Sequence, residues 1–258
     1  MIAGSLQKSD KPYIIIPMRN PKIKKTHDFL SIILPTYNES ENILLLIQAI
    51  KKVLKKNNFE ILVVDDDSPD RTGYLVQKKY ALKKNIRALI RKKDHGLAAS
   101  ILAGIKKSNG SHIIVMDTDF NHDPKILSLF ISQKNSYDLL IGSRYINGGG
   151  MENRMRYYLS FIYNVIIKLL LGLKTHDNLS GFFLIEKSHL SKMNLERIFK
   201  GYGDYFIRFL KVSDTNGLRI KEIPVYYKNR VAGESKSKFV SMFLSYSQTV
   251  MEILNKDF

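Results

Sequence analysis

The sequence predicts an α/β fold built on a mostly parallel sheet, with helices on both faces and amphipathic helices towards the C-terminal end. Three observations carry this prediction. Short apolar, β-branched runs alternate with helix-period segments from Ser31 to Gly142, and parallel strands need such crossovers between them. The runs are apolar throughout, as strands covered on both faces are. A length of 258 residues, with 44% hydrophobic and 25% charged side chains, suits one sizeable domain with its own core.

The elements follow in order. Ser31 to Pro35 reads as the first strand. A helix capped near Asn38 or Ser40 follows, with Ile43, Leu44, Ile47, Ile50 and Leu54 on one face. Glu60 to Val64 is a buried strand, Thr72 to Leu82 a helix and Ile86 to Ile90 the third strand. Gly96 to Lys107 is helical and His112 to Met116 is the fourth strand. Pro124 opens a helix reaching Gln133, since proline suits a first helical turn. Asp138 to Gly142 is the fifth strand. Gly148 to Gly150 marks a flexible loop, and Arg156 to Leu171 an amphipathic helix. Ser180 to Ile185 is a strand and Tyr205 to Val212 a short helix. Arg219 to Tyr227 reads as one strand, which Pro224 places at an edge or an end. Phe239 to Leu254 carries a helical apolar pattern. The expected division is a basic extension over 1–28, a catalytic domain over 29–238 and an amphipathic helix over 239–258.

Composition narrows the function classes. With no cysteine, disulfides and thiolate metal sites are excluded. The formal charge of +17 suits a polyanionic partner: nucleic acid, an anionic membrane or a polyphosphorylated substrate. A lysine-biased composition is the plainer account of the same number. A nucleic-acid-binding module lacks its aromatic-studded basic motif here and leaves the clustered aspartates unexplained, so nucleic acid is not expected as a partner. No stretch reaches the roughly 18–20 apolar residues of a spanning helix, and residues 1–28 lack the apolar core of a secretory signal.

The chemistry concentrates where strands end. In open parallel sheets, ligands bind beyond the carboxyl ends of the strands. There the chain reads Pro35-Thr36-Tyr37-Asn38-Glu39, then Asp65-Asp66-Asp67-Ser68-Pro69-Asp70, then Asp117-Thr118-Asp119-Phe120-Asn121. Carboxylates clustered at one edge repel one another unless a cation lies between them. Asp117 and Asp119, two apart in extended chain, point the same way. Hard oxygen donors favour Mg²⁺ or Mn²⁺ over zinc, and His122 is read as a packing or surface residue rather than a ligand. Arg144, Arg156 and Arg230 stand among lysines, where a planar bidentate fork for phosphate is the distinguishing gain. Arg154 and Arg219 are read as surface.

The ordered series Pro-Thr-Tyr-Asn-Glu, Val-Asp-Asp-x-Ser-x-Asp, Met-Asp-x-Asp and Gly-Ser-Arg-Tyr resembles the family 2 glycosyltransferases of the glycosyltransferase-A fold. Asn178-Leu179-Ser180-Gly181-Phe182 and Arg230-x-x-Gly-x-Ser-Lys236 are similar to dolichyl-phosphate mannose synthases and their bacterial relatives. The resemblance runs over about residues 30–240.

It implies a role for each matching residue. Pro35, Tyr37 and Glu39 hold the nucleotide, with Val64 and Asp66 beside base and ribose. Asp117, Thr118 and Asp119 sit at the diphosphate and sugar, and Asp119 and Asn121 take the metal. Arg144, Arg156 and Ser160 face the acceptor phosphate, and Arg230 and Lys236 close over the donor. Asp117, Asp119 and Arg144 are the expected catalytic set. Three positions depart from the family pattern: Asn121 stands for a usual Gln, Arg71 for a Gly and Ala98 for a second Gly.

The implied reaction is metal-dependent, inverting transfer of mannose from GDP-mannose to dolichyl or another polyprenyl phosphate. UDP-glucose is the alternative donor. A phosphate monoester, with a second pKa near about 6, needs little general-base help, so no separate base is expected. The implied location is peripheral, on the cytoplasmic face of a membrane, with a small membrane-anchoring subunit among the partners. Tyr157, Tyr158, Phe161, Ile162, Val165, Ile166, Leu169 and Leu170 offer either a membrane-facing surface or a face packed on the sheet.

Overall fold

Successive side chains of a strand face opposite ways, and the first strand is apolar in both directions. Ile32 and Leu34 enter one core and Ile33 the other, all fully buried. The computed structural model, which describes residues 28–228 and 239–255, continues this pattern through the chain. Its elements are β1 (Phe29–Thr36), α1 (Ile43–Val53), β2 (Asn58–Asp65), α2 (Thr72–Lys79), β3 (Ile86–Ile90), α3 (Leu97–Lys107), β4 (His112–Val115), α4 (Ile126–Gln133) and β5 (Leu139–Ser143). The second half gives β6 (Gly150–Met151), α5 (Arg154–Leu171), β7 (Phe183–Glu186), α6 (Lys187–Leu190), α7 (Leu195–Ile198), α8 (Tyr205–Thr215), β8 (Ile220–Pro224), β9 (Tyr226–Tyr227) and α9 (Phe239–Leu254).

Seven strands form one sheet in the order β3-β2-β1-β4-β7-β5-β8. All neighbours are parallel except β7, which runs antiparallel to β4 and β5. The predicted sheet is therefore right, with one reversed strand wedged into its centre. Residues of α1, α2 and α4 fill the core on one face, and residues of α3, α5, α8 and α9 fill the other. Gly104 sets how closely α3 lies on the sheet: a β-carbon there would meet Ile33 Cγ2 at 2.5 Å.

Several expectations need correction. Helix α1 is capped neither by Asn38 nor by Ser40. Asn38 has φ of 55°, and the cap position falls at Asn42. The glycines at 148–150 are required by the backbone, Gly148 by its φ of 88° and Gly149 and Gly150 by close approach. A β-carbon on Gly149 would lie 2.6 Å from the Ser143 carbonyl oxygen, and Gly150 pairs with Tyr226 in a small two-stranded sheet. The run from Arg219 to Tyr227 divides into β8, at the sheet edge, and β9, which pairs with β6. Helix α9 contributes Tyr246 and Val250 to the main core.

Helix α5 is arranged inside out. Its buried residues are Asn164, Ile167 and Leu171, whereas Tyr158, Ile162 and Leu169 are 60%, 56% and 75% exposed. Most of its apolar face therefore looks outward rather than onto the sheet. Exposed Phe243, Leu244, Met251 and Leu254 of α9 enlarge the apolar surface, and the two helices meet where Tyr163 packs on Phe243. The buried Asn164 has a use. Its Oδ1 accepts from the Asn178 backbone N–H at 2.6 Å and its Nδ2 donates to the Ser160 carbonyl.

Candidate active site

The carboxyl ends of β1, β2, β4 and β5 open onto one cleft of about 620 Å³. Pro35 to Tyr37, Glu39, Asp66, Asp117 to Asp119, Asn121 and Arg144 line it. The start of α3, the first turn of α5, the loop before α8 and Met242 and Tyr246 of α9 complete the walls. Ten of the fourteen distinct site residues expected from sequence converge here. Val64 does not: it is fully buried in the core beneath the cleft, since alternation along β2 turns it inward. Ser160, half-buried on α5, lies outside the lining. Arg230 and Lys236 fall outside the described residues.

The acidic run after β2 is not a metal site, because the protein itself satisfies it. Asp65 accepts from the Thr36 hydroxyl at 2.9 Å and from both the N–H and hydroxyl of Ser68. Asp66 accepts from Arg91 Nη1, Ser100 Oγ and the Gly96 N–H, each at 2.6 Å. Asp67 pairs with Lys92 at 2.6 Å. Asp70 accepts from Thr72 and Ser40, and these bonds outweigh burial and lower its pKa. Arg91 is the missing cation: half-buried against Asp66, it fixes the loop that begins the cleft wall. Nothing in the spacing of Arg91 distinguishes it from its neighbouring lysines.

The acids after β4 are arranged differently. Asp119 is buried and accepts from the Asn121 N–H at 3.1 Å and its Nδ2 at 2.8 Å. Asp117 is 44% exposed at its side chain and faces the cleft. His122 is a packing residue: it is fully buried and stacks on Phe182 with ring centroids 4.6 Å apart. Burial pushes its pKa down to about 4, with Arg144 adding to the effect and Asp119 opposing it.

The two arginines differ. Arg144 is buried and bidentate to Asp177, through Nε at 2.7 Å and Nη2 at 2.7 Å. Its guanidinium lies 5.0 Å from the Tyr145 ring and 4.9 Å from the Tyr227 ring. Burial works against its charge, but Asp177 outweighs it and raises the pKa further. Arg156, in the first turn of α5, is exposed and lines the cleft. Its backbone N–H donates to the Asn153 cap at 3.0 Å. Arg154 and Arg219 are on the surface as expected, Arg219 in a pair with Asp138.

Among the described residues, no three His, Cys, Asp or Glu side chains converge as a cage. The cleft instead offers two carboxylates and an amide oxygen at one edge. That donor set fits Mg²⁺ or Mn²⁺, which takes one or two protein carboxylates and completes its octahedron with phosphate oxygens and water.

The sequence profile of glycosyl transferase family 2 matches residues 31–193. The chain belongs to glycosyl transferase family 2. Within that family it is 36% identical over 220 residues to a dolichol-phosphate mannosyltransferase of Pyrococcus furiosus, covering 83% of this chain and 60% of that one. It is 34% identical to a polyprenol monophosphomannose synthase of Mycolicibacterium smegmatis, over 80% of this chain and 79% of the relative. An undecaprenyl-phosphate mannosyltransferase of Micrococcus luteus is 32% identical over 79% and 85%. In structure, this family 2 chain resembles the glucosyl-3-phosphoglycerate synthase of Mycobacterium tuberculosis in complex with Mn²⁺, UDP and glucosyl-3-phosphoglycerate. The TM-score is 0.63 at 18% identity, over 88% of this chain and 78% of the other. The expected glycosyltransferase-A fold is therefore present, and the family 2 matches identify the protein as a glycosyltransferase.

Proposed function

We propose that this glycosyltransferase moves a sugar from a nucleotide-diphosphate donor onto a polyprenyl phosphate at a membrane surface, with mannose from GDP-mannose as the preferred donor. One observation carries the reading. Arg156 stands in the cleft on the same helix that turns its apolar face outward, so a phosphate there has its lipid chain beside an exposed apolar surface. The mannosyltransferase relatives support the choice of sugar and acceptor. Among the described residues no helix is long and apolar enough to cross a membrane, and the exposed faces of α5 and α9 supply interfacial contact.

In this reading Pro35, Tyr37 and Glu39 hold the nucleotide, and Asp117 and Thr118 line the diphosphate. Asp119 and Asn121 hold the metal, with Asp117 facing them. A bound Mg²⁺ or Mn²⁺ supplies charge neutralisation to the diphosphate leaving group. An oxygen of the dianionic acceptor phosphate attacks the anomeric carbon from the face opposite the diphosphate. The new C–O bond forms as the old one breaks, the nucleoside diphosphate leaves with the electron pair, and configuration inverts. Arg156 orients the acceptor phosphate. Arg144, held by Asp177, adds a fixed positive charge, and catalysis is positioning plus electrostatics. Arg230 and Lys236 close over the donor on the strength of their sequence motif alone.

A donor panel with a short polyprenyl phosphate, with and without Mn²⁺, tests this directly. The expected outcome is metal-dependent transfer from GDP-mannose, lost in Asp119→Asn while the melting temperature holds. Full activity in excess EDTA rejects the metal. Faster transfer from UDP-glucose replaces the donor.

A further inference from the structure

The histidine behind the β4 acids does more than fill space. A backbone N–H can only donate, and that of Asp117 points at His122 Nδ1 at 2.8 Å. Nδ1 is therefore bare, and the ring carries its proton on Nε2. That Nε2–H donates to Tyr227 Oη at 2.7 Å. The Tyr227 hydroxyl in turn donates to the Ser180 carbonyl at 3.1 Å. One neutral tautomer satisfies every bond in this chain, and each ring nitrogen ties down a segment far from the other in sequence.

The same Tyr227 carries the Arg144 guanidinium on its ring face at 4.9 Å. A single buried path therefore runs from the main chain of Asp117, through His122 and Tyr227, to the Arg144 guanidinium, and both of its ends line the cleft. We infer that His122 and Tyr227 are positioning residues: they form a strut that sets the Asp117–Asn121 turn against β9 and Arg144. A purely packing histidine would be replaceable by an apolar ring. This one is not, because phenylalanine keeps the stack on Phe182 and loses both hydrogen bonds. The inference rests on the proposed transfer only for its kinetic consequences; the tautomer and the strut stand without it.

The test uses the full chain. Nitrogen-15 histidine NMR should show His122 protonated at Nε2 alone in the wild type. Tyr227→Phe removes only the hydroxyl and should leave the melting temperature within a few degrees. It should weaken Mn²⁺·GDP binding and lower kcat, each by about two- to tenfold, the range of one neutral hydrogen bond. KM for the acceptor should stay within about twofold. His122→Phe should lose more, and His122→Asn, whose amide oxygen can accept from Asp117, should regain part. Protonation at Nδ1, or an active wild type whose Tyr227→Phe variant binds Mn²⁺·GDP and turns over unchanged, overturns the strut. Should His122→Phe not fold, Tyr227→Phe decides. A wild type that neither binds Mn²⁺·GDP nor transfers sugar refutes the proposed function, while the NMR arm still decides the strut.

Discussion

Arg71 holds a backbone conformation that its side chain resists, with φ of 61° and ψ of 30°. The left-handed region costs a non-glycine residue roughly 1–2 kcal/mol, which explains why the family pattern has glycine there. Arg71→Gly should stabilise the protein by up to about 1 kcal/mol, the gain being reduced by the greater freedom of unfolded glycine; chemical denaturation measures it. The two cleft arginines should separate in the same way. Arg156→Ala should lower the acceptor specificity constant about ten- to hundredfold, as loss of a charge-assisted bond does, with donor affinity unchanged by calorimetry. Lysine should rescue only part of it. Arg144→Ala instead strands the buried Asp177 and should cost roughly 3–5 kcal/mol of stability. His122 adds a pH dependence. Unfolded, it binds a proton below its ordinary 6.5, but folded, only near about 4. Stability should therefore fall as pH drops from 6.5 towards 4, by roughly 3 kcal/mol at most, and His122→Phe should flatten that slope. The aspartates of the site were legible because their spacing is local. Asp177, Arg91 and Tyr227 were not, since each matters through a partner 25 or more residues away and no local pattern marks such a pairing.

Strands β1 to β5 could be read to within three residues at each end because burial on both faces makes their runs apolar and short. What escaped was register and direction. Nothing in the residues of β7 states that it runs backwards, and although Pro224 marked the edge strand's end, nothing in 219–227 states that the chain then joins a second sheet. Helices α6 and α7 have four residues each, too few for a helical period to show. Helix α5 was legible as a helix but not in its orientation, because the hydrophobic pattern alone does not say which face meets the core. Asn164 decides it, through bonds to Asn178 that only the folded chain reveals. Asn164→Ala should therefore cost about 1–3 kcal/mol by leaving the Asn178 N–H unpaired. Ile162→Glu and Leu169→Glu, on the outer face, should change stability by no more than about 0.5 kcal/mol. They should still reduce sedimentation with anionic phospholipid vesicles severalfold. Retained vesicle binding in both variants would exclude α5 as the contact surface.

At the scale of the whole molecule, glycosyl transferase family 2 supplies a sheet whose carboxyl edge collects the site, and this chain surrounds it with a formal charge of +17. Charge of one sign keeps molecules apart over a screening length of about 10 Å at 0.1 M salt, which shrinks to about 3 Å at 1 M. The outward face of α5 and α9 gives that repulsion a second meaning. In dilute buffer without lipid, electrostatic repulsion is expected to keep one molecule's exposed tyrosines, isoleucines and leucines from meeting another's. Its dispersal should therefore depend on ionic strength in the reverse of the usual salting-in sense. Light scattering should show it monodisperse at low salt and associating as sodium chloride approaches 1 M. Leu169→Glu should stay dispersed throughout, and lipid vesicles added first should suppress the association by occupying the face that drives it.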